Sequence, residues 1–295
     1  MKPMLDYSET FLKALAEADV ARALEEDVRG FDGQGFDLTA SLVPADKQTK
    51  ARILARESAV ICGRPWAEAA LRAVAPDASW TWKVAEGQRC EANQVVLEMQ
   101  GLARGLLTAE RTVLNFLQLL SAVATKTAQY VDAIKDVPGN NARIVDIRKT
   151  LPGLRLAEKY AVHCGGGLNH RIGLYDAVLI KENHIAAAGG VSAVLAQAKA
   201  LGIAAKAKFI QIEVETLAQL EEALQAGATM ILLDNMNLAQ MREAVRVNAG
   251  RAILEVSGGV TLSTVRDIAA TGVDRISVGA LTKDVKAIDF SMRFE

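Results

Sequence analysis

Along residues 9–28, ETFLKALAEADVARALEEDV, apolar side chains recur at helical spacing, which predicts an amphipathic helix. The period then changes. KARILARESAVICG, SWTWKVAEG and QVVLEMQG alternate partly between apolar and polar residues and are separated by turn formers, so they are predicted to be strands. Between them PWAEAALRAVAP has the spacing of a helix. Residues 1–103 are therefore expected to form a small α+β layer with a mostly antiparallel sheet.

From Arg104 to Asp136 the chain is free of glycine and proline after Gly105, up to the turn Pro138-Gly139-Asn140-Asn141. One long helix joining two domains is the expectation. Beyond it, short apolar runs alternate with helical segments: ARIVDIR, AVLIKE, FIQIEVE, MILLDN, AILEVSGG and RISVGAL. Runs of this kind are buried parallel strands, and their spacing is that of successive βα units in a barrel or an open parallel sheet. Each is apolar until its C-terminal end, where polar groups or glycine appear: Arg148 and Lys149, Lys181 and Glu182, Glu213 and Glu215, Asp234 and Asn235, Ser257 with Gly258 and Gly259, or Gly279. A solvated boundary would explain one or two such ends. A shared mouth, where βα loops converge, explains the set better.

Composition narrows the class. With 51% hydrophobic, 23% charged and 5% aromatic residues in 295, the chain has ample core material. A net charge of −1 argues against a globally basic nucleic-acid binder, so partners must be sought at local sites. Cys62, Cys90 and Cys164 are few and widely spaced, which suggests neither a disulfide framework nor a CxxC site and points to a reducing compartment. The leading MKPMLDYSETFLKAL lacks an apolar signal core, and no apolar run reaches about 18 residues. A soluble cytoplasmic protein is expected, without membrane or nucleic-acid partners.

Local charge carries more information than the total. Residues 143–184 hold Arg143, Arg148, Lys149, Arg155, Lys159, Arg171 and Lys181 against four acids, together with all three histidines. A polyanionic small ligand is the simplest inference, because guanidinium forks match carboxylate and phosphate geometry. His163, His170 and His184 lack a zinc-site spacing, so hydrogen-bonding or electrostatic roles are expected for the first two and a structural role for His184. Glu213 and Asp234 could bind sugar hydroxyls, hold Mg2+ directly or through water, or stabilise a developing cation. Ser257, Gly258, Gly259, Gly279 and Ala280 end apolar strands in small residues whose backbone amides suit a phosphate.

Taken with ERTVLNFLQLLSAVAT, DIRKTLPGLR, EKYAVHCGGGLNHRIGLYDAVLIKENHI, IEVET, ILLDN, LEVSGGV and ISVGALT, the chain closely resembles quinolinate phosphoribosyltransferases, from about residue 20 to the final SMRF. The resemblance implies an incomplete, TIM-like α/β barrel over residues 116–283. It also implies an open-faced α/β sandwich over residues 1–115, rejoined by residues 284–295. Arg111, Arg148, Lys149, His170, Arg171 and Lys181 would then surround quinolinate and its neighbouring phosphates. Glu213 and Asp234 would face the ribose and Mg2+ of phosphoribosyl pyrophosphate, with Lys149 beside them in catalysis. Ser257, Gly258, Gly259, Val278, Gly279 and Ala280 would hold the 5-phosphate. Arg111 would reach a neighbouring subunit's site, which implies a homodimer with shared active sites. The sequence departs from the family at Ile147, where the usual DTRKT motif has threonine, and reduced quinolinate affinity is expected. Two other readings remain at this stage: a barrel lyase with a Schiff base at Lys149 or Lys181, and a silent barrel that only binds a phosphorylated metabolite.

Overall fold

A computed structural model describes residues 4–30, 33–201 and 206–295. The first three residues of the segment inspected for a leader lie outside that set. The chain divides into two compact units. One comprises Leu5–Ala128, Leu151–Gly166 and Asp284–Glu295; the other is built mainly from Gln129–Thr150 and Gly167–Lys283.

In the first unit helix α1 (Glu9–Leu24) starts at Ser8, whose hydroxyl accepts the Phe11 N–H, and widens into a π-helical turn over Glu25–Arg29. The α-helix is thus shorter than the apolar spacing predicts. Its buried Asp19 accepts the indole N–H of Trp66 at 2.9 Å, tying α1 to helix α2 (Arg64–Val74), in which Trp66 is fully buried. The sheet order is β12-β1-β5-β3, with β1 Gln48–Ala55, β3 Ser79–Trp82, β5 Val95–Leu102 and β12 Phe290–Phe294, every pair antiparallel. Burial alternates along β5, as expected when only one face of a sheet is covered. A two-stranded ladder of β2 (Ala59–Val60) and β4 (Arg89–Cys90) stands apart, and β4 has no sequence signal strong enough to predict it.

Helix α3 (Ala103–Lys135) matches the long glycine-poor stretch closely. The second unit then sets six parallel strands in the order β6-β11-β10-β9-β8-β7. They are β6 Arg143–Val145, β7 Val178–Ile180, β8 Ile210–Val214, β9 Met230–Asp234, β10 Ile253–Ser257 and β11 Arg275–Ser277. β6 and β7 are the outer strands, so the sheet is an unclosed α/β barrel. β8, β9 and β10 are buried almost throughout, as strands covered on both faces must be. β6 stops three residues before Arg148, which places Arg148 and Lys149 on a loop.

Candidate functional site

The strand ends converge as the apolar pattern predicts. A cavity of about 350 Å3 is lined by Ile147, Arg148, Lys149, His170, Arg171, Leu179, Lys181, Glu213, Leu232, Glu255, Ser257 and Ser277. Eight of these are residues singled out from the sequence. Asp234 ends the neighbouring strand and exchanges charge effects with Lys181 and Lys149, though it does not line the cavity. Gly279 lies against the same loop: a Cβ there would come within 3.0 Å of the Ile147 side chain. Gly258, Gly259, Val278 and Ala280 flank the lining without forming it. Arg111 belongs to the other unit, exposed on α3.

The basic cluster is smaller than the sequence suggests. Arg143 opens β6 at the opposite end of that strand, while Arg155 and Lys159 lie on helix α4 (Arg155–Cys164) of the first unit, with Lys159 fully buried. Arg148, Lys149, Arg171 and Lys181 are the cations that meet at the cavity. Burial lowers the pKa of Arg171, the nearby Arg148 guanidinium lowers it further, and Asp176 partly offsets both. Two like charges at one cavity form a receptor for an anion, which would relieve the repulsion that Asp176 offsets only in part.

The loop carrying Arg148 and Lys149 is anchored on both sides. Thr282 Oγ1 donates to the Lys149 carbonyl at 2.7 Å, and buried Asp146 accepts from Asn169 Nδ2 and the His170 backbone N–H, each at 2.8 Å. The Arg171 N–H donates to His170 Nδ1 at 2.8 Å, so that nitrogen bears no proton. The ring therefore donates from Nε2 to Gln211 Oε1, 2.7 Å away. His184 instead accepts the Lys181 N–H at 3.0 Å and caps the following helix.

Lys181 Nζ donates to Glu213 Oε2 at 3.1 Å. Burial pushes the Glu213 carboxyl above the ordinary range; Lys181 opposes the shift, while Asp234 and Glu182 reinforce it. Asp234 is raised as well, first by burial, with Lys181 and Lys149 pulling it back. These are carboxylates short of compensating charge, suited to a ligand that is partly cationic or rich in hydroxyls.

The same lining includes Glu255 and Ser277, which periodicity alone did not flag. Glu255 is 0% exposed, faces Arg275 Nε at 2.9 Å, accepts the Ser277 hydroxyl and lies 3.6 Å from His170 Nε2. The available signal was a polar residue in the middle of an apolar run, as in IQIEV, ILEVS and RIS.

Gly258 adopts φ +100°, and a Cβ there would sit 2.7 Å from Asn235 Oδ1. Gly258→Ala is expected to cost on the order of 1–3 kcal/mol from the backbone conformation alone, measurable by denaturant titration.

The model of the quinolinate phosphoribosyl transferase C-terminal domain matches residues 123–293, and that of the N-terminal domain matches residues 37–121. Nicotinate-nucleotide pyrophosphorylase (carboxylating) of Mycobacterium leprae is 41% identical over 283 residues, covering 94% of this chain and 96% of that protein. Quinolinate phosphoribosyltransferase (decarboxylating) 1b of Nicotiana tabacum is 39% identical over 290 residues, covering 92% and 80%. The solved nicotinate-nucleotide pyrophosphorylase of Francisella tularensis superposes with a TM-score of 0.91 at 39% identity, covering 100% of both chains. An unclosed barrel with a cationic mouth, a separate antiparallel sheet and matches along nearly the whole sequence agree on one assignment: the chain belongs to the quinolinate phosphoribosyl transferase family.

Proposed function

We propose that this chain transfers the phosphoribosyl group of phosphoribosyl pyrophosphate to quinolinate with decarboxylation, giving nicotinate mononucleotide, pyrophosphate and carbon dioxide for NAD synthesis. The observation that carries the reading is the meeting of Arg148, Arg171, Lys149 and Lys181 with the half-compensated carboxylate of Glu213 in one cavity. Both substrates are polyanions, and one becomes cationic at the sugar carbon as it reacts.

Arg148 and Arg171 have the planar donors to clamp the two pyridine carboxylates, while the Lys149 and Lys181 ammonium groups suit phosphate oxygens. As the C1–O bond to pyrophosphate breaks, positive charge grows on the ribose, and Glu213 and Asp234 stabilise it electrostatically. The quinolinate nitrogen attacks C1 and pyrophosphate leaves with the bond pair. When the 2-carboxylate departs as carbon dioxide the bond pair stays on C2, stabilised by the adjacent positively charged pyridinium nitrogen, and C2 then takes a proton. Alignment supplies most of the rate, and no side-chain nucleophile is needed.

Two strand-end carboxylates with raised pKa values are hard oxygen donors suited to magnesium, so Glu213 and Asp234 would hold the ion, directly or through water. Bound there, it would neutralise charge on the departing pyrophosphate. Lys149 and Lys181 do not require a Schiff base in this scheme. The first test is carbon dioxide release from carboxyl-labelled quinolinate. Release that depends on phosphoribosyl pyrophosphate and Mg2+ supports the reading; tight binding of both ligands without release would replace it with a silent binding barrel.

Ile147 lines the cavity where the family's motif has threonine. Ile147→Thr is expected to add one hydrogen bond, about 0.5–1.5 kcal/mol, and so to lower the quinolinate KM by about two- to tenfold. Initial-rate kinetics at saturating phosphoribosyl donor measure it.

The exposure of Arg111 on α3 supports a homodimer in which it serves the partner subunit's site. Mixing Arg111→Ala with Glu213→Gln, each strongly impaired alone, should then raise activity well above that of either variant by creating mixed dimers with one intact site. No recovery after subunit exchange would place Arg111 in its own chain's site. Among the described residues no helix is long and apolar enough to cross a membrane. The three free thiols support a reducing, cytoplasmic setting.

A further inference from the structure

Three chemically reactive groups converge in the first unit, which carries neither Glu213 nor Asp234. Cys62 lies between β2 and α2, Glu86 in the turn between β3 and β4, and Cys164 at the end of α4. The two sulfur atoms and a Glu86 carboxylate oxygen all lie within 4.8 Å of one another. Ligand atoms around a tetrahedral zinc are separated by about 3.5–3.8 Å, given metal–sulfur bonds of about 2.3 Å, so small side-chain rotations would close this triad on an ion.

We propose that Cys62, Glu86 and Cys164 bind a single zinc-class divalent cation, with the Tyr160 hydroxyl or a water completing four ligands.

Glu86 is already oriented for the task. Its Oε1 accepts the Gly63 N–H at 2.9 Å and its Oε2 the Arg64 N–H at 3.2 Å, leaving a second lone pair on each oxygen. These amides begin α2, and they temper the three negative charges that a fully deprotonated triad would bring. Burial raises the Tyr160 phenol and the neighbouring Glu86, Cys164 and Cys62 raise it further, as expected of a hydroxyl beside the triad. A cavity of about 470 Å3, lined in part by Tyr7, Arg64, Glu86 and Tyr160, reaches the Glu86 member of the triad. Capping of α2 accounts for the carboxylate alone. It does not account for two sulfurs delivered to the same point from separate segments.

Burial also raises the Cys62 thiol and the Glu86 carboxyl, and a thiol must lose its proton to ligate a metal. Binding should therefore release protons and tighten as pH rises. Thiolate ligands select zinc, cobalt or cadmium over magnesium, which separates this site from the proposed magnesium site.

The test uses the full chain, reduced and stripped with a chelator, then titrated with Co2+. The expected result is thiolate-to-cobalt charge-transfer absorption saturating at one equivalent, abolished by added Zn2+ and unaffected by Mg2+. Cys164→Ser should lose most of that band, and Cys90→Ser should keep it. Because fully buried Cys62 is sensitive to substitution, a second readout uses the native residues: Zn2+ should raise the Tm of wild type but not of Cys164→Ser. Absence of a charge-transfer band, an unchanged band in Cys164→Ser, or reduced protein that refuses cobalt yet forms a Cys62–Cys164 disulfide in air would each overturn the proposal.

Discussion

Arg275→Met should destabilise the protein by about 3–5 kcal/mol, because removing one member of a buried ion pair leaves the other charge without compensation. Arg275 is 5% exposed and Glu255 is 0% exposed, with Nε 2.9 Å from Oε2. The Ser277 hydroxyl and His170 also approach Glu255, but neither supplies a permanent positive charge. Methionine keeps much of the volume, so the loss reports charge rather than a cavity. The double variant Arg275→Met/Glu255→Leu should recover most of it, since an apolar pair no longer has an ion to solvate. Urea titration of wild type, Arg275→Met, Glu255→Leu and the double variant gives the coupling energy directly. A loss below about 1 kcal/mol in the single variant would mean that Glu255 does not carry its charge in the folded state.

Glu213→Gln should reduce kcat/KM by a factor of about 100–1000, equivalent to about 2.7–4 kcal/mol of transition-state stabilisation. The substitution keeps shape and one hydrogen-bonding oxygen while removing the negative charge opposite the ribose. Quinolinate binding, assigned to Arg148 and Arg171, should change far less, so the loss should fall mainly on kcat. The pH profile provides a separate test. Burial raises the Glu213 carboxyl, and Asp234 and Glu182 push it further against the opposing Lys181. Its ionised form is the active one, so activity should fall with decreasing pH along a limb lying above about 4.3, the ordinary glutamate value. In Glu213→Gln the remaining limb should be governed by Asp234. The sign for stability is opposite: a carboxyl raised on folding favours the folded state at low pH, and that contribution disappears as pH rises through the raised value.

Most of the architecture could be read from local patterns because its longer elements have a one-dimensional signature. The stretch from Arg104 to Asp136, free of glycine and proline after Gly105, matches α3 to within a residue at each end, and the apolar runs mark all six parallel strands. Boundaries suffered where a loop imitates a strand: DIR continues the apolar run RIV, yet β6 ends at Val145 and Asp146 turns to bind Asn169 and His170. Site residues at strand ends were legible through the same logic. The interior pair Glu255–Arg275 was not, because its members are 20 residues apart and only strand register brings them together. Charge counting failed for Arg155 and Lys159, whose helix is interposed in sequence between site segments but folds with the other unit.

Strand β12 pairs with β1, bringing Phe294 opposite Ala51, and Thr49 Oγ1 donates to the Glu295 carbonyl across 246 residues. During synthesis, β1 can meet β5 as soon as both leave the ribosome, but its other edge stays unpaired until residues 290–294 emerge. At about 5–20 residues per second, that edge waits on the order of 10–50 s while the whole second unit is made. An open strand is a template for pairing with other chains. The charged, exposed side chains of Lys50 and Arg52 on β1 are of the kind that disfavour such pairing while that edge is open.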